Sequence, residues 1–270
     1  EENMSPEIPQ VLKVSRQILT PTELARPRGF QYGLKTVGGK RVELTGTPST
    51  DIISSLPTDM PTQMDVALDD MLTRLAVAGG SPLDIASFTM LVSDIAIYRD
   101  TSVLQALAGV WKSHFGRNYF PTKLLELEAA SMKQDGHVPL ITLSATALVD
   151  APQDQSEGTT IWLGGQNGFD EKGLLYGDVT HQVRHIMRGI SAVLREGDSS
   201  FDDATFASLR MFINPDLYGK NQRSILDAVA EFAGEQNADD MKVYPAKGFF
   251  EAAALVEMDG YVSLPTPGVD

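Results

Sequence analysis

Two phrases of the chain set a lysine in matching surroundings, Tyr119-Phe120-Pro121-Thr122-Lys123 and Val243-Tyr244-Pro245-Ala246-Lys247. In each, an aromatic and a proline precede a small residue and the lysine, and an apolar stretch carrying glutamate follows. Three roles are open to such a lysine. It holds an anion, or it acts as a base or Schiff-base former once desolvation lowers its pKa, or it is an ordinary solvated charge. One carboxylate, Glu257, follows the second phrase on the strand-like segment Val256-Glu257-Met258, whereas the matching segment of the first half, Pro139 to Ala145, has none. Lys247 is therefore the lysine expected to work with an acid. Phe249 and Phe250 fall on opposite sides of a strand read after Lys247, so one faces a planar substrate and the other the core, with Phe249 taken as the substrate-facing candidate. His181 and His185 have the i, i+4 spacing of metal ligands, but no third ligand is evident and no metal is expected.

The elements that must position these residues are themselves repeated. Val42–Asp51 lies over Ile161–Asp170, and the same offset brings Asp59 onto Asp178 and Gln63 onto Gln182. Ser81–Phe88 over Ser199–Phe206 and Ser102–Val110 over Ser224–Phe232 continue the match. The chain thus reads as two copies of a unit of about 110 to 120 residues. An extension over 1–28 precedes a first unit over 29–150, a polar linker over 151–158 and a second unit over 159–270.

Within the first unit, two strand-like stretches flank Gly38-Gly39, a hairpin signal. Apolar residues at helical spacing over Met60–Ala78 predict a helix that stops at Gly79-Gly80. Ile85–Asp94 then reads as a buried strand, Ser102–Gly116 as a helix, and Lys123–Ala129 and Val138–Val149 as strands. The second unit repeats the order with strands at Thr159–Gly165, Ala204–Ile213, Lys247–Ala253 and Leu255–Leu264 and helices at Val179–Leu194 and Ser224–Phe232. This β-β-α-β-α-β-β order predicts an α+β fold with both helices of a unit packed on one face of a mixed sheet.

Composition narrows the partners. The 270 residues carry 22 Lys+Arg against 36 Asp+Glu, a formal charge of -14, which opposes nucleic-acid and anionic-lipid binding. With no cysteine, disulfides and thiolate chemistry are excluded. No apolar run of membrane-spanning length occurs, and the acidic start lacks a signal-peptide pattern, so a cytoplasmic protein is expected.

The second unit, from Ile161-Trp162-Leu163-Gly164-Gly165-Gln166 through Asp178–Gln182 to Pro245-Ala246-Lys247 and Val256-Glu257-Met258, resembles the reactive-intermediate deaminase family, also called Rid or YjgF. The first unit matches more weakly through Thr45-Gly46-Thr47, Asp59–Gln63 and Pro121-Thr122-Lys123. The resemblance implies two tandem chorismate-mutase-like units, assembly into a trimer of two-unit chains, pockets between units, and hydrolysis of enamines or imines without metal or cofactor. It also implies a small carboxylate-bearing substrate, held where relatives have an arginine, and a glutamate that positions water. Carried onto this chain, these roles fall to Lys247 and Glu257 as the catalytic pair, with Lys123, Thr45, Gly165, Gln166 and Phe249 binding substrate. Both arginine positions hold lysine, which keeps the charge and loses the planar fork, so Arg117 is a candidate to supply the missing guanidinium. An aminomuconate-type amino dienoic acid is the most specific substrate this implies. A non-catalytic binding protein and a chorismate-hydrolysing enzyme are the alternatives.

Overall fold

A computed structural model describes residues 10–27, 29–46, 59–133, 137–170, 172–175, 177–202 and 205–264. Thr47 of the first unit's turn lies outside the described residues. In chain order the elements are β1 (Val11–Leu12), β2 (Ser15–Leu19), β3 (Gly33–Val37), β4 (Lys40–Gly46), α1 (Met60–Val77), β5 (Ile85–Val92), α2 (Ile95–Arg99), α3 (Thr101–Phe115), β6 (Thr122–Glu126) and β7 (Ile141–Val149). They continue with β8 (Ala151–Pro152), β9 (Thr159–Asn167), α4 (Val179–Glu196), β10 (Thr205–Ile213), α5 (Pro215–Asp240), β11 (Lys242–Pro245), β12 (Gly248–Phe249) and β13 (Val256–Leu264). Among the described residues, no helix is long and apolar enough to cross a membrane.

The repeated residues turn out to do repeated work. Asp59 caps α1 by accepting from the Thr62 amide, and Asp178 caps α4 by accepting from the His181 amide, each satisfying an orphan donor of a first turn. One turn further on, the buried Gln63 accepts from the Leu140 amide, while Gln182 accepts from the Leu255 amide and donates to the Ala253 carbonyl. Each glutamine therefore clamps the chain as it enters the last strand of its unit. The apolar stripe of α1, with Met64, Leu68, Met71 and Leu75, packs with α3 on one sheet, and Val183, Ile186, Ile190 and Val193 of α4 pack with α5 on the other.

The two sheets share a four-strand plan. One runs β12-β6-β5-β7-β4 and the other β11-β10-β13-β9-β3-β2, with β5/β6 and β10/β11 the parallel pairs. The fold is thus α+β, two units each with helices on one face of a mixed sheet. Two expectations are corrected here. The stretches around Gly38-Gly39 are strands but not a hairpin: β4 pairs with β7 in the first sheet, and β3 pairs with β9 in the second. Consecutive positive φ angles at Gly38 and Gly39 turn the chain from one sheet to the other. The segment before residue 29 is not a mere extension, since β2 pairs with β3 as the outer strand of the second unit's sheet.

The helix-free faces of the sheets meet. Leu34, Trp162 and Tyr261 of one sheet pack on Ala86 and Leu148 of the other, and Leu125 packs on Phe212, Ala246 and Phe249. The Arg41 guanidinium lies 4.9 Å from the Trp162 ring centroid and 4.7 Å from that of Tyr261, a cationic rivet across the join. Backbones approach closely where β9 passes the start of β6: a Cβ on Gly164 would collide with the Gln31 carbonyl and lie 3.3 Å from Pro121 Cα. Because the obstacles are main chain, Gly164→Ala is expected to destabilise the protein by about 1–3 kcal/mol, read as a lower urea midpoint at unchanged slope.

Candidate functional site

Lys123 lies inside β6, and strand alternation turns it away from α1 and α3 into the join between the sheets. There its ammonium donates to Asp259 at 2.8 Å, and Arg210 grips the same carboxylate with two bonds of 2.8 Å. The lysine also sits 4.4 Å from the Phe212 ring centroid. Burial pulls the Lys123 pKa down, with Asp259 opposing and the Arg210 charge adding to the fall. Two cations from two sheets thus share one carboxylate.

Glu257 precedes Asp259 by two residues on β13 and faces the same join. It is 3% exposed, lies opposite Asn167 on β9, and its Oε1 has no hydrogen-bond partner; neither does Asn167 Oδ1. Burial first, and the Asp259 charge second, push the Glu257 carboxyl up to about 8, against the pull of Lys123 and of the Asn167 hydrogen bond. The carboxyl is therefore mostly protonated at neutral pH. A Cβ on Gly165 would collide with Glu257 Oε1, so glycine at this position is what leaves room for the acid.

Glu257 and Asn167 line a cavity of about 270 Å³ walled by Phe30, Phe169, Phe250 and Tyr98. Burial holds the Tyr98 hydroxyl protonated, its pKa pushed up to about 12. Among the described residues of that lining there is no lysine or arginine, whereas Glu251 and Glu257 are both on it; Arg26 and Lys172 line the adjoining cavity that shares Phe30, Phe169, Phe250 and Glu251. Lys123 and Leu125 line a different cavity from Thr122 and Leu124, so β6 is the partition between the two.

The structure brings Glu257 to Lys123, not to Lys247. The reason is register: β6 pairs Thr122–Glu126 with Phe88–Val92, placing Lys123 inside the strand, whereas β11 pairs Lys242–Pro245 with Arg210–Ile213 and ends before Lys247. The strand expected at Lys247–Ala253 is accordingly displaced to precede the lysine, leaving the two-residue β12, which joins β6 in the other sheet. Lys247 is half-exposed and pairs with Glu126 at 3.0 Å, whose hydrogen bond raises its pKa.

Of the remaining sequence candidates, Gly165 is at the site, as described. Gln166 is buried and spends its amide on the Tyr32 and Gly164 carbonyls, a bracing role. Phe249 enters the apolar cluster of Leu125 and Phe212, while Phe250 is the ring at the cavity, exchanging the places expected for them. Thr45 and Arg117 are exposed and on neither cavity's lining. His181 and His185 approach to 3.1 Å, and among the described residues no group of three metal-ligating side chains occurs. Asp259, Arg210 and Tyr98 were not anticipated. A charge inside the apolar segment Leu209-Arg210-Met211-Phe212 was the available signal for one of them. Tyr98 rides on α2, a helix too short to show periodicity, whose Arg99 also binds the Phe249 and Phe250 carbonyls.

A buried acid that holds its proton leaves a mark on stability. From about pH 4.5 to about 8 the unfolded chain releases the Glu257 proton while the folded chain keeps it, so this group's contribution falls as pH rises and is fully lost above about 8. Glu257→Gln, which is neutral throughout, is expected to gain on the parent protein by a few kcal/mol, on the order of the linkage term, between pH 5 and pH 8 in urea unfolding.

No family model matches the chain, and no curated protein matches it. Among solved structures it is similar to a chorismatase, at 14% identity and TM-score 0.48, covering 97% of this chain and 97% of that one. It is also similar to two proteins of unknown function of the conserved Rid family from Yersinia pestis. One is 19% identical with TM-score 0.41, covering 50% of this chain and 98% of that one. The other is 18% identical with TM-score 0.32, covering 39% and 80%.

Proposed function

We propose that the protein hydrolyses an enamine or imine to a carbonyl compound and ammonia, with Glu257 as the acid and base. The observation that carries this reading is the buried Glu257 beside Asn167, two unpartnered oxygens on the wall of one aromatic cavity, where burial pushes the Glu257 carboxyl up to about 8. An amino group has two N–H donors to satisfy such a pair.

The proton ledger closes on this one residue. Glu257 gives its proton to the β-carbon of the enamine: the C=C electrons form the new C–H bond, the nitrogen lone pair forms C=N, and an iminium cation faces the new carboxylate. Water then adds its oxygen to the iminium carbon while the carboxylate takes the water's proton. Passing a proton from the carbinolamine hydroxyl to its nitrogen lets the C–N bond break as C=O forms, and ammonia leaves with Glu257 protonated again. The cationic intermediate is favoured by the two carboxyl groups on the lining, Glu251 and Glu257. Tyr98 supplies a neutral O–H donor on the same wall.

The lining also bears on substrate choice. An aminomuconate-type acid fits the aromatic walls through its conjugated chain, and the adjoining cavity, which shares Phe30, Phe169, Phe250 and Glu251, is lined by Arg26 and Lys172 as candidate partners for its carboxylates. Lys123 acts through the charge balance around Glu257 and Asp259, and Lys247 stands outside this cavity.

The test is ammonia release from enamines generated in situ: 2-aminopropene as the uncharged case, 2-aminoacrylate and 2-aminomuconate as the charged ones. Wild-type protein is expected to release ammonia above background from at least one of the three. Glu257→Gln should lose about a hundredfold or more in kcat/KM, and activity should fall as pH rises through about 8. No release from any of the three, or release undiminished in Glu257→Gln, would sink the reading.

A further inference from the structure

The i, i+4 spacing of His181 and His185 becomes a definite geometry in α4. Their Nε2 atoms lie 3.1 Å apart, while the ring centroids are 4.8 Å apart and the planes are inclined by 59°. The rings are thus turned nitrogen to nitrogen and are not stacked face to face. We propose that the pair is a chelating site for one borderline divalent cation, of the class of Cu(II), Ni(II) or Zn(II), with water in the remaining coordination positions.

Distance is the first argument. Metal–imidazole bonds of about 2.1 Å to two nitrogens 3.1 Å apart enclose an angle of about 95° at the metal. That is close to the right angle between neighbouring ligands of an octahedral or square-planar ion, and short of the tetrahedral angle. Cu(II) therefore fits ahead of Zn(II), an order that intrinsic affinity for nitrogen ligands also favours. Two side chains suffice for such an ion, whereas Mg(II) and Ca(II) prefer oxygen ligands and are disfavoured here.

Proton accounting agrees with the distance. At 3.1 Å one ring donates its Nε2–H and the other accepts. To bind, the donating ring moves that proton to its own Nδ1, so both rings stay neutral and both Nε2 lone pairs reach the metal. The only charge added is the metal's.

The fold holds the pair in place beforehand. His181 stands in the first turn of α4, where its amide donates to the Asp178 cap, and His185 is one turn further on. Gln182, between them, is fixed by its bonds to Ala253 and Leu255. Gly177, with φ 82°, sits against the His181 ring: a Cβ there would lie 2.9 Å from Cδ2, so glycine leaves the ring its place. Both histidines are half-buried, which reduces the side-chain freedom that chelation has to freeze. Neither is on the lining of the Glu257 cavity or of the one adjoining it, so the site has no part in the reaction proposed above.

Isothermal titration of tag-free protein with copper(II), nickel(II) or zinc(II) chloride, in excess Mg(II), tests this. One metal per chain is expected, with a Kd below about 0.1 mM for Cu(II) and weaker binding of Ni(II) and Zn(II). His181→Ala and His185→Ala should each weaken Cu(II) binding by roughly tenfold or more. His114, whose Nε2 lies 2.7 Å from Asp65, is the control, and His114→Ala should leave the affinity unchanged. Electron paramagnetic resonance of the copper complex should show two coordinated nitrogens, and one in either single variant, a change that loss of structure does not imitate. Should either alanine variant fail to fold, His181→Asn or His185→Gln carries the same test. Absence of binding at about 1 mM Cu(II) overturns the proposal. So does affinity retained in both His181→Ala and His185→Ala, or lost in His114→Ala instead. None of these readouts depends on ammonia release, so the metal site and the deaminase reading fail separately.

Discussion

Asp259 receives Lys123 from the other sheet and Arg210 from β10, the neighbouring strand of its own sheet, and the rest of the interior is arranged around that triple contact. A buried carboxylate with one cation is often no better than an apolar pair, because both charges lose water. With two cations and three short bonds, Asp259 is well satisfied, and it ties β6 to β13 and β10 at one fixed register. Its charge then spills onto Glu257, two residues away on the same strand face. The lysine that would neutralise Glu257 is already engaged, and the neighbouring anion discourages a second negative charge. The contact that docks the two units therefore also keeps the proton on the acid.

The repeat shows how one phrase acquires two fates. Both lysines follow a proline, yet one is a strand residue in the join and the other lies past its strand's end in partial contact with water. A shift in where the parallel strand pairs is enough to produce this, since alternation sends successive residues to opposite faces. Similarity of sequence between the copies was a sound guide to caps and clamps, where Asp59, Gln63, Asp178 and Gln182 act alike. It was a poor guide to the chemistry, because side-chain environment depends on the partner strand.

The same division explains what was legible. Helices α1 and α4 announce themselves through apolar spacing and an aspartate cap, and the buried strands through short apolar runs, all local signals. Glu257 was visible as the carboxylate that one copy has and the other lacks. Its partner was not, because Lys123 reaches it only across the sheet join, a contact between halves of the chain that no local pattern encodes. In α5 the helix read at Ser224–Phe232 ends close to the kink at Gly234, where φ is 79°, while its start at Pro215 and the second helical stretch up to Asp240 were not read.

The path of β3 has a consequence for how the molecule comes into being. This strand lies early in the chain and completes the sheet of the later unit beside β9, while its sequence neighbour β4 stays with the earlier one. During synthesis β3 is made long before β9 exists, a wait on the order of ten seconds at ordinary elongation rates. Until then its pairing edge has no native partner. The two halves, alike enough to be read as copies, are consequently no longer separable objects: neither could be inherited, transplanted or made alone with its sheet whole.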